Sequence, residues 1–427
     1  MIFPMRPGPI YLIGPSGNPN YGDEFIAAAW LRHLARVRPD DDVWLDCPQP
    51  GHAQILFRDA HPRARFTNTV WRLVHDHQHL PAEEAAAGIT ERVTGLGTPT
   101  YDLGLLTMRD AGTLHLIGGG YINATWRHHA GLVHAMKATQ ALSGARLLAT
   151  GQGLLPAVTG PVAAKDLFHG FDHVTARDQG GAEAYGVDFG LDDAFLGASE
   201  VIPTADDAGT SHAIPSAGTA SGTADAEARS EPDGRSDGLF ICIQSDTVDR
   251  SRIAPAIAIA RREAIRATEQ GREVFYLEAI PGADRAAYDQ LADLIPETNF
   301  LPFATLWTEG LPLSPRQCWV TSRFHFHLLG AAAGGAGIAI AMNPGYYDVK
   351  HESIIALGSG WALASDDDAP TMPVSAGPLN AGLADLVAGK RAEAFELYPE
   401  APATEETPRP RSLTSQVGDA LRRRRFR

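Results

Sequence analysis

Both halves of this chain repeat one device: a short apolar run that stops at glycines or at a charged residue, with a helical stretch behind it. In the first half the runs are Ile10-Tyr11-Leu12-Ile13, Val43-Trp44-Leu45-Asp46, Thr113-Leu114-His115-Leu116-Ile117, Ala145-Arg146-Leu147-Leu148-Ala149-Thr150 and His173-Val174-Thr175-Ala176. The first and the last three stop at Gly14, at Gly118-Gly119-Gly120, at Gly151-Gln152-Gly153 and at Arg177-Asp178. Near-continuous apolar strands alternating with helices require a parallel sheet covered on both faces, with ligands received at the C-terminal strand ends. The second half repeats the device in Leu239-Phe240-Ile241-Cys242-Ile243, Val274-Phe275-Tyr276-Leu277, Cys318-Trp319-Val320 and Gly337-Ile338-Ala339-Ile340-Ala341, with helices expected over 252–269 and 284–294. A chain of 427 residues exceeds what one core supports. The expectation is therefore α/β, with two Rossmann-like parallel-sheet domains over 1–200 and 238–395. Between them, 201–237 is rich in Ala, Gly, Ser, Thr and Asp without apolar periodicity, the composition of a flexible linker. Beyond about 360 the chain turns loop-rich, and 396–427 reads as a tail.

The strand end richest in chemistry is Thr321-Ser322-Arg323-Phe324-His325-Phe326-His327. It places an Arg and a His at the mouth of the helix that follows, where unbonded N–H groups and a partial positive charge favour an anion. The competing reading is that Arg323 and His325 cap the helix and pair with surface carboxylates. His327, two residues on, reads as a packing residue. The first strand runs through Gly14-Pro15-Ser16-Gly17-Asn18-Pro19-Asn20-Tyr21-Gly22 into a helix with Asp23 and Glu24 in its first turn and Pro39 after its end. That loop is neither Gly-x-Gly-x-x-Gly nor a Walker A sequence, so dinucleotide and P-loop chemistry are not expected. The three glycines at 118–120 let a ligand or another backbone approach closely.

Composition removes several classes. Lys plus Arg is 36 and Asp plus Glu is 51, so 36 − 51 = −15, a charge that repels a nucleic-acid backbone and confines any anion site to a local basic pocket. Cys47, Cys242 and Cys318 are far apart and set in apolar runs, so they read as reduced core residues. His75, His77 and His79 alternate, a spacing that does not share one helical face, and with His52 and His61 they are read as solvated helix residues; no metal is expected. The N-terminus lacks the apolar stretch of a signal peptide and no run is long enough to cross a bilayer, so a cytoplasmic location is expected. The basic end Leu421-Arg422-Arg423-Arg424-Arg425-Phe426-Arg427 is expected to be solvated, with peripheral attraction to an anionic membrane face as the alternative.

Taken in order, these segments resemble the polysaccharide pyruvyl transferase family. Gly17-Asn18-x-x-x-Gly22-Asp23-Glu24 is similar to that family's N-terminal Gly-Asn-x-Gly-Asp-Glu signature, lengthened here by two residues. Gly118-Gly119-Gly120 and Gly151-Gln152-Gly153 resemble its internal glycine turns, and Arg177-Asp178 with Glu183 and Gly186 its Arg-Asp strand end. Asp192-Asp193-Ala194-Phe195 is similar to its Asp-Pro-Ala-Phe segment, with Asp193 where proline is usual. Ser322-Arg323-Phe324-His325 resembles its Arg-x-His motif, and Tyr347-Asp348-Val349-Lys350 its Tyr-x-x-Lys. The likeness runs over roughly residues 10 to 355.

The resemblance implies a GT-B-like fold with phosphoenolpyruvate, a donor substrate and not a cofactor, bound in the interdomain cleft. The first domain would take the acceptor side and the second the donor side. It also implies transfer of the pyruvyl group to two hydroxyls of a sugar, glycan or lipid-linked saccharide as a cyclic ketal, with release of phosphate. Phosphoenolpyruvate carries a phosphate and a carboxylate, which suit bidentate arginine. Arg177 and Arg323 are expected to hold those two groups, with Lys350 pairing the remaining anionic oxygen. His325 is expected to protonate C3 as general acid. Asp23 or Glu24 would position or deprotonate an acceptor hydroxyl; alternatively both only complement the helix dipole. Asn18, Gly22, Gly119, Gly120 and Gln152 are assigned to substrate binding with them. Two rival readings are a nucleotide-sugar glycosyltransferase of the same architecture, with Glu278 as its ribose-binding acid, and a non-catalytic sugar-binding homologue.

Overall fold

The structure, a computed structural model, describes residues 7–159, 164–202, 234–246, 250–342, 347–364 and 370–401. Most of the expected linker (203–233) and the tail from 402 onward, including the basic end, lie outside the described residues.

Each half builds one sheet. In the first, β1 (Ile10–Ile13), β2 (Val43–Asp46), β3 (Ala64–Thr67), β4 (Thr113–Leu116), β5 (Arg146–Gln152), β6 (His173–Ala176) and β7 (Asp188–Phe189) stand in the order β3-β2-β1-β4-β5-β6-β7. In the second, β8 (Leu239–Cys242), β9 (Val274–Leu277), β10 (Phe300–Leu301), β11 (Cys318–Thr321), β12 (Ala336–Ile340) and β13 (Ala362–Ala364) stand in the order β10-β9-β8-β11-β12-β13. Every pairing is parallel. In both sheets the order reverses at the first strand, between β1 and β4 and between β8 and β11. The connections leaving those strands splay to opposite faces there and open a crevice. Two Rossmann-like parallel-sheet domains with their crevices on one cleft make a GT-B-like architecture.

The halves are joined by packing and by backbone. Tyr21, first residue of the helix Tyr21–Val37, is fully buried; its ring meets Trp307 (6.2 Å) and Phe326 (5.3 Å) of the second domain. Its N–H donates to the carbonyl of Ala279 (3.0 Å), and one apolar core runs through both domains.

The helix Leu383–Leu397 departs from the expected division at 395. It returns to the first domain, where Lys390 meets Asp193 (2.5 Å), Glu393 meets His173 (2.8 Å) and Arg146 donates to the Leu397 carbonyl (3.1 Å). Val387, Ala394 and Leu397 bury the apolar side, and the charges find buried partners instead of solvent. The stretch expected to be helical from 51 to 91 contains β3 between two of its helices, and 284–294 is α-helical only over Arg285–Tyr288.

Candidate active site

The loops that leave the switch-point strands converge on one cavity of about 890 Å³. Asn18 and Asn20 reach it from the β1 loop, Gly120 and Tyr121 from the β4 loop, Gln244 and Asp246 from the β8 loop, and Arg323 to Phe326 from the β11 loop. The first turns of the helices Tyr21–Val37 and Phe324–Ala332 meet here almost without clearance. A Cβ on Gly22 would stand 1.7 Å from Nδ1 of His325, so only glycine admits the imidazole.

Arg177 extends the end of β6, its backbone N–H donating to the Gln152 carbonyl (3.0 Å). Its guanidinium donates to Asp192 (2.7 Å) and lies over the ring of Phe324 (4.0 Å to the centroid). A Cβ on Gly153 would come within 2.8 Å of its Nη2, and one on Gly120 within 3.2 Å. The two glycine turns are thus the clearance for this side chain. The other carboxylate oxygen of Asp192 faces Nε2 of His325 at 3.6 Å. Burial alone would raise the Asp192 carboxyl; His325 and Arg177 outweigh it and hold the group well below the usual carboxylate range.

Two more charged groups come from the second domain. Lys350, on the helix Tyr347–Ala356, would have its Nζ 2.9 Å from a Cβ on Gly120. Burial, then Arg177, pushes its ammonium well below the ordinary lysine range, with Asp23 opposing. Asp23 accepts from Asn20 (2.7 Å), and burial raises its carboxyl against the opposing pull of His325, Lys350 and Arg177. Arg323 is gripped by two carboxylates, Asp284 through Nε (3.1 Å) and Nη2, and Asp246 through Nη2 (2.9 Å). Asp284 is itself fixed by the N–H groups of Ala279 (2.8 Å) and Ile280 (2.9 Å). The guanidinium of Arg323 is oriented before any ligand arrives, which lowers the entropy cost of binding an anion.

Of the residues expected at the site, Asn18, Gly22, Asp23, Gly120, Arg177, Arg323, His325 and Lys350 line the cavity together. Three do not. Glu24 is fully buried and accepts from the Gly17 N–H (2.8 Å), bracing the loop after β1; burial, then Asp23, raises its carboxyl well above the usual range. Gln152 donates to the carbonyls of Leu116 (3.0 Å), Ile117 (2.9 Å) and Thr150 (3.0 Å), locking β4 to β5 beneath the site. Gly119 takes φ +147° and its carbonyl accepts from the Gly153 N–H (2.8 Å), tying one glycine turn to the other.

Sequence reasoning passed over Asp192, Asp246 and Asp284, the carboxylates that orient His325 and Arg323. Asp192 stood in a quoted motif, but nothing in the sequence separated its part from that of Asp193. The neighbours face opposite ways. Asp193 is fully buried and accepts from the Trp30 indole (2.6 Å), the Gly118 N–H (2.8 Å) and Thr150 (2.7 Å), and pairs with Lys390. His327 lies in the core as expected, against Trp361 (4.5 Å) with its ring nitrogens toward His351 (3.1 Å) and Ser359 (3.0 Å). Among the described residues no cluster of His, Cys, Asp or Glu is arranged to hold a metal, and no helix is long and apolar enough to cross a membrane.

A family model described as polysaccharide pyruvyl transferase matches residues 20–344. No curated protein matches the sequence. Among solved structures, the chain is similar to the UDP-GlcNAc 2-epimerase of Neisseria meningitidis bound to UDP-GlcNAc, with 8% identity, TM-score 0.45, and 91% of this chain and 93% of that one covered. It is similar to the UDP-GlcNAc 2-epimerase of Methanocaldococcus jannaschii in complex with UDP-GlcNAc and UDP at 9% identity, TM-score 0.43, covering 97% and 99%. A ugt transferase from Siraitia grosvenorii in complex with UDP matches at 12% identity, TM-score 0.41, covering 91% and 93%.

Proposed function

The chain belongs to the polysaccharide pyruvyl transferase family, and from that premise we propose that it moves the pyruvyl group of phosphoenolpyruvate onto two hydroxyls of a sugar as a ketal, releasing phosphate. The observation that carries this reading is the meeting of Arg177, Arg323, Lys350 and His325 in one cavity. Two guanidinium groups and a lysine around one imidazole match a small substrate that carries a phosphate and a carboxylate and needs a proton on carbon.

In this reading Arg323 and Arg177 hold the two anionic groups and Lys350 the remaining phosphate oxygen. His325, held between Gly22 and Asp192, delivers a proton to C3, which becomes the methyl group and leaves an oxocarbenium at C2. One sugar hydroxyl attacks C2; the C–O bond to phosphate then breaks, and the second hydroxyl closes the ketal. The two hydroxyl protons balance the proton gained by C3 and the one carried away on phosphate. Asp23, raised by burial and lying on the cavity wall, is the group to receive a hydroxyl proton. Asp192 keeps its charge and serves as fixed counter-ion to the imidazolium.

The glycosyltransferase alternative loses its ribose-binding candidate. Glu278 is buried and accepts from the backbone N–H groups of Gly282 (2.8 Å) and Phe303 (3.3 Å). The test of the reading is phosphate release from phosphoenolpyruvate in the presence of mono- and oligosaccharides. The expected result is release that requires both substrates, with the saccharide gaining the mass of pyruvic acid less water. Release of a nucleotide from a sugar nucleotide instead would overturn it.

A further inference from the structure

The cavity is much larger than a three-carbon phosphate ester requires, and its far end is made differently. After Gly120 the chain turns through Tyr121 into a short 3-10 segment, Ala124–His129, begun by Asn123, whose side chain accepts from the Thr125 N–H (3.0 Å). That segment presents Trp126 to the cavity. It is 46% exposed, whereas Trp30, Trp71, Trp307, Trp319 and Trp361 are buried and Trp44 is half-buried. The exposed indole is not loose. It stacks on His129 (5.9 Å, 17° between planes), which packs edge-on against Trp71 (5.0 Å) and meets the Tyr121 carbonyl through Nδ1 (2.9 Å).

Burial holds the imidazoles of His128 and His129 below the ordinary histidine range, His129 at about 4. The polar groups beside it, Arg72, Asp76 and Gln78, are planar and exposed, and Arg72 already faces Asp76 at 3.8 Å. An anion has little to gain there. A ring with an apolar C–H face and vicinal hydroxyls fits both features: the face packs on the indole, and planar bidentate groups bond paired hydroxyls.

We propose that the end of the cavity walled by Trp71, Trp126 and His129 is the acceptor subsite, and that it takes an uncharged pyranose ring stacked on Trp126 with its hydroxyls toward Arg72, Asp76 and Gln78. The proposal rests on the pyruvyl-transfer reading for which ring reacts, and Gly120, which lies against Lys350 and Arg177, is followed directly in the chain by Tyr121 on the cavity wall.

The test is calorimetric titration of lactose, cellobiose, maltose and UDP, and separately of phosphoenolpyruvate, into the full chain as wild type, Trp126→Ala and Trp126→Phe. The expected result is that at least one disaccharide binds the wild type, that Trp126→Ala weakens it about tenfold and Trp126→Phe much less, and that phosphoenolpyruvate binds all three alike, which also shows the variants are folded. Equal disaccharide affinity in wild type and Trp126→Ala overturns the proposal, as does binding of phosphoenolpyruvate but of no disaccharide. Binding of UDP that depends on Trp126 overturns it in favour of a nucleobase at that wall. Trp126-dependent disaccharide binding without phosphoenolpyruvate binding leaves the subsite standing and removes the transfer reading.

Discussion

The two ends of the cavity are organised on opposite principles. At the end holding Arg177, Arg323 and His325, each charged side chain is largely buried and oriented by a protein carboxylate: Asp192 for Arg177 and His325, Asp284 and Asp246 for Arg323. At the other end, Trp126 and the side chains of Arg72 and Asp76 are more than 40% exposed; Asp76 accepts from the Tyr101 hydroxyl, and Arg72 stands 3.8 Å from it. Groups that must meet developing charge gain most from being fixed in advance in a site shielded from water. Groups that receive a larger, hydroxyl-rich partner need only a rigid aromatic anchor and adaptable polar neighbours.

The contrast breaks most sharply at His325. His325→Gln should lower kcat by about 10²–10⁴ while leaving phosphoenolpyruvate binding nearly intact, measured by phosphate release and by ligand titration. An equal loss of binding would make His325 part of the anion grip and not the proton donor. Gly22→Ala should come next. The added methyl must displace an imidazole 1.7 Å away, and a shift of that size costs about 10² in turnover with little change in saccharide affinity. A variant as active as the wild type would show that the close approach is dispensable.

A smaller effect sharpens the comparison by reaching the frame shared by both ends. Glu393, buried against Lys390 and His173, is raised by burial, but these partners lower it further, to about 2. A carboxyl lowered in the folded state contributes stability above its unfolded pKa and loses it as pH falls through the folded value. The docking of Leu383–Leu397 should therefore weaken between about pH 4.5 and pH 2. Glu393→Gln should flatten that part of the stability–pH curve while leaving the ratio of donor to acceptor affinity unchanged. A changed ratio would mean that the returning helix communicates with one end selectively.

How much of this was legible in the sequence depends on burial. The nine central strands are written as apolar runs, and the reading located each within a residue or two. The four strands it missed, β3, β7, β10 and β13, are the four sheet edges. They are two to four residues long and largely half-buried or exposed, with both residues of β7 exposed, so no apolar run marks them. The site divides similarly. Cations at strand ends were visible because residue type and position coincide there. The carboxylates that orient them were not, because Asp284 lies 39 residues from Arg323 and reads locally as one more charged residue of a loop. Glu24 and Gln152 were misplaced for the converse reason: they sit beside the right glycines but turn inward to backbone donors and carbonyls. Lys390 and Glu393 fall in a stretch that reads only as loop-rich, and the returning fold is what gives them their partners.

The most direct test of the account is thermal unfolding of the wild type and of Arg323→Lys, each with phosphoenolpyruvate and with a nucleoside diphosphate. Lysine keeps a charge beside Asp284 but loses the fork, so the variant stays folded while its grip weakens. At a hundred times its dissociation constant, phosphoenolpyruvate should stabilise the wild type by about 2.7 kcal/mol. The same concentration should shift Arg323→Lys much less, and the nucleotide should shift neither. A wild type that ignores phosphoenolpyruvate and responds to the nucleotide would contradict the donor assignment and with it the chemistry built on His325.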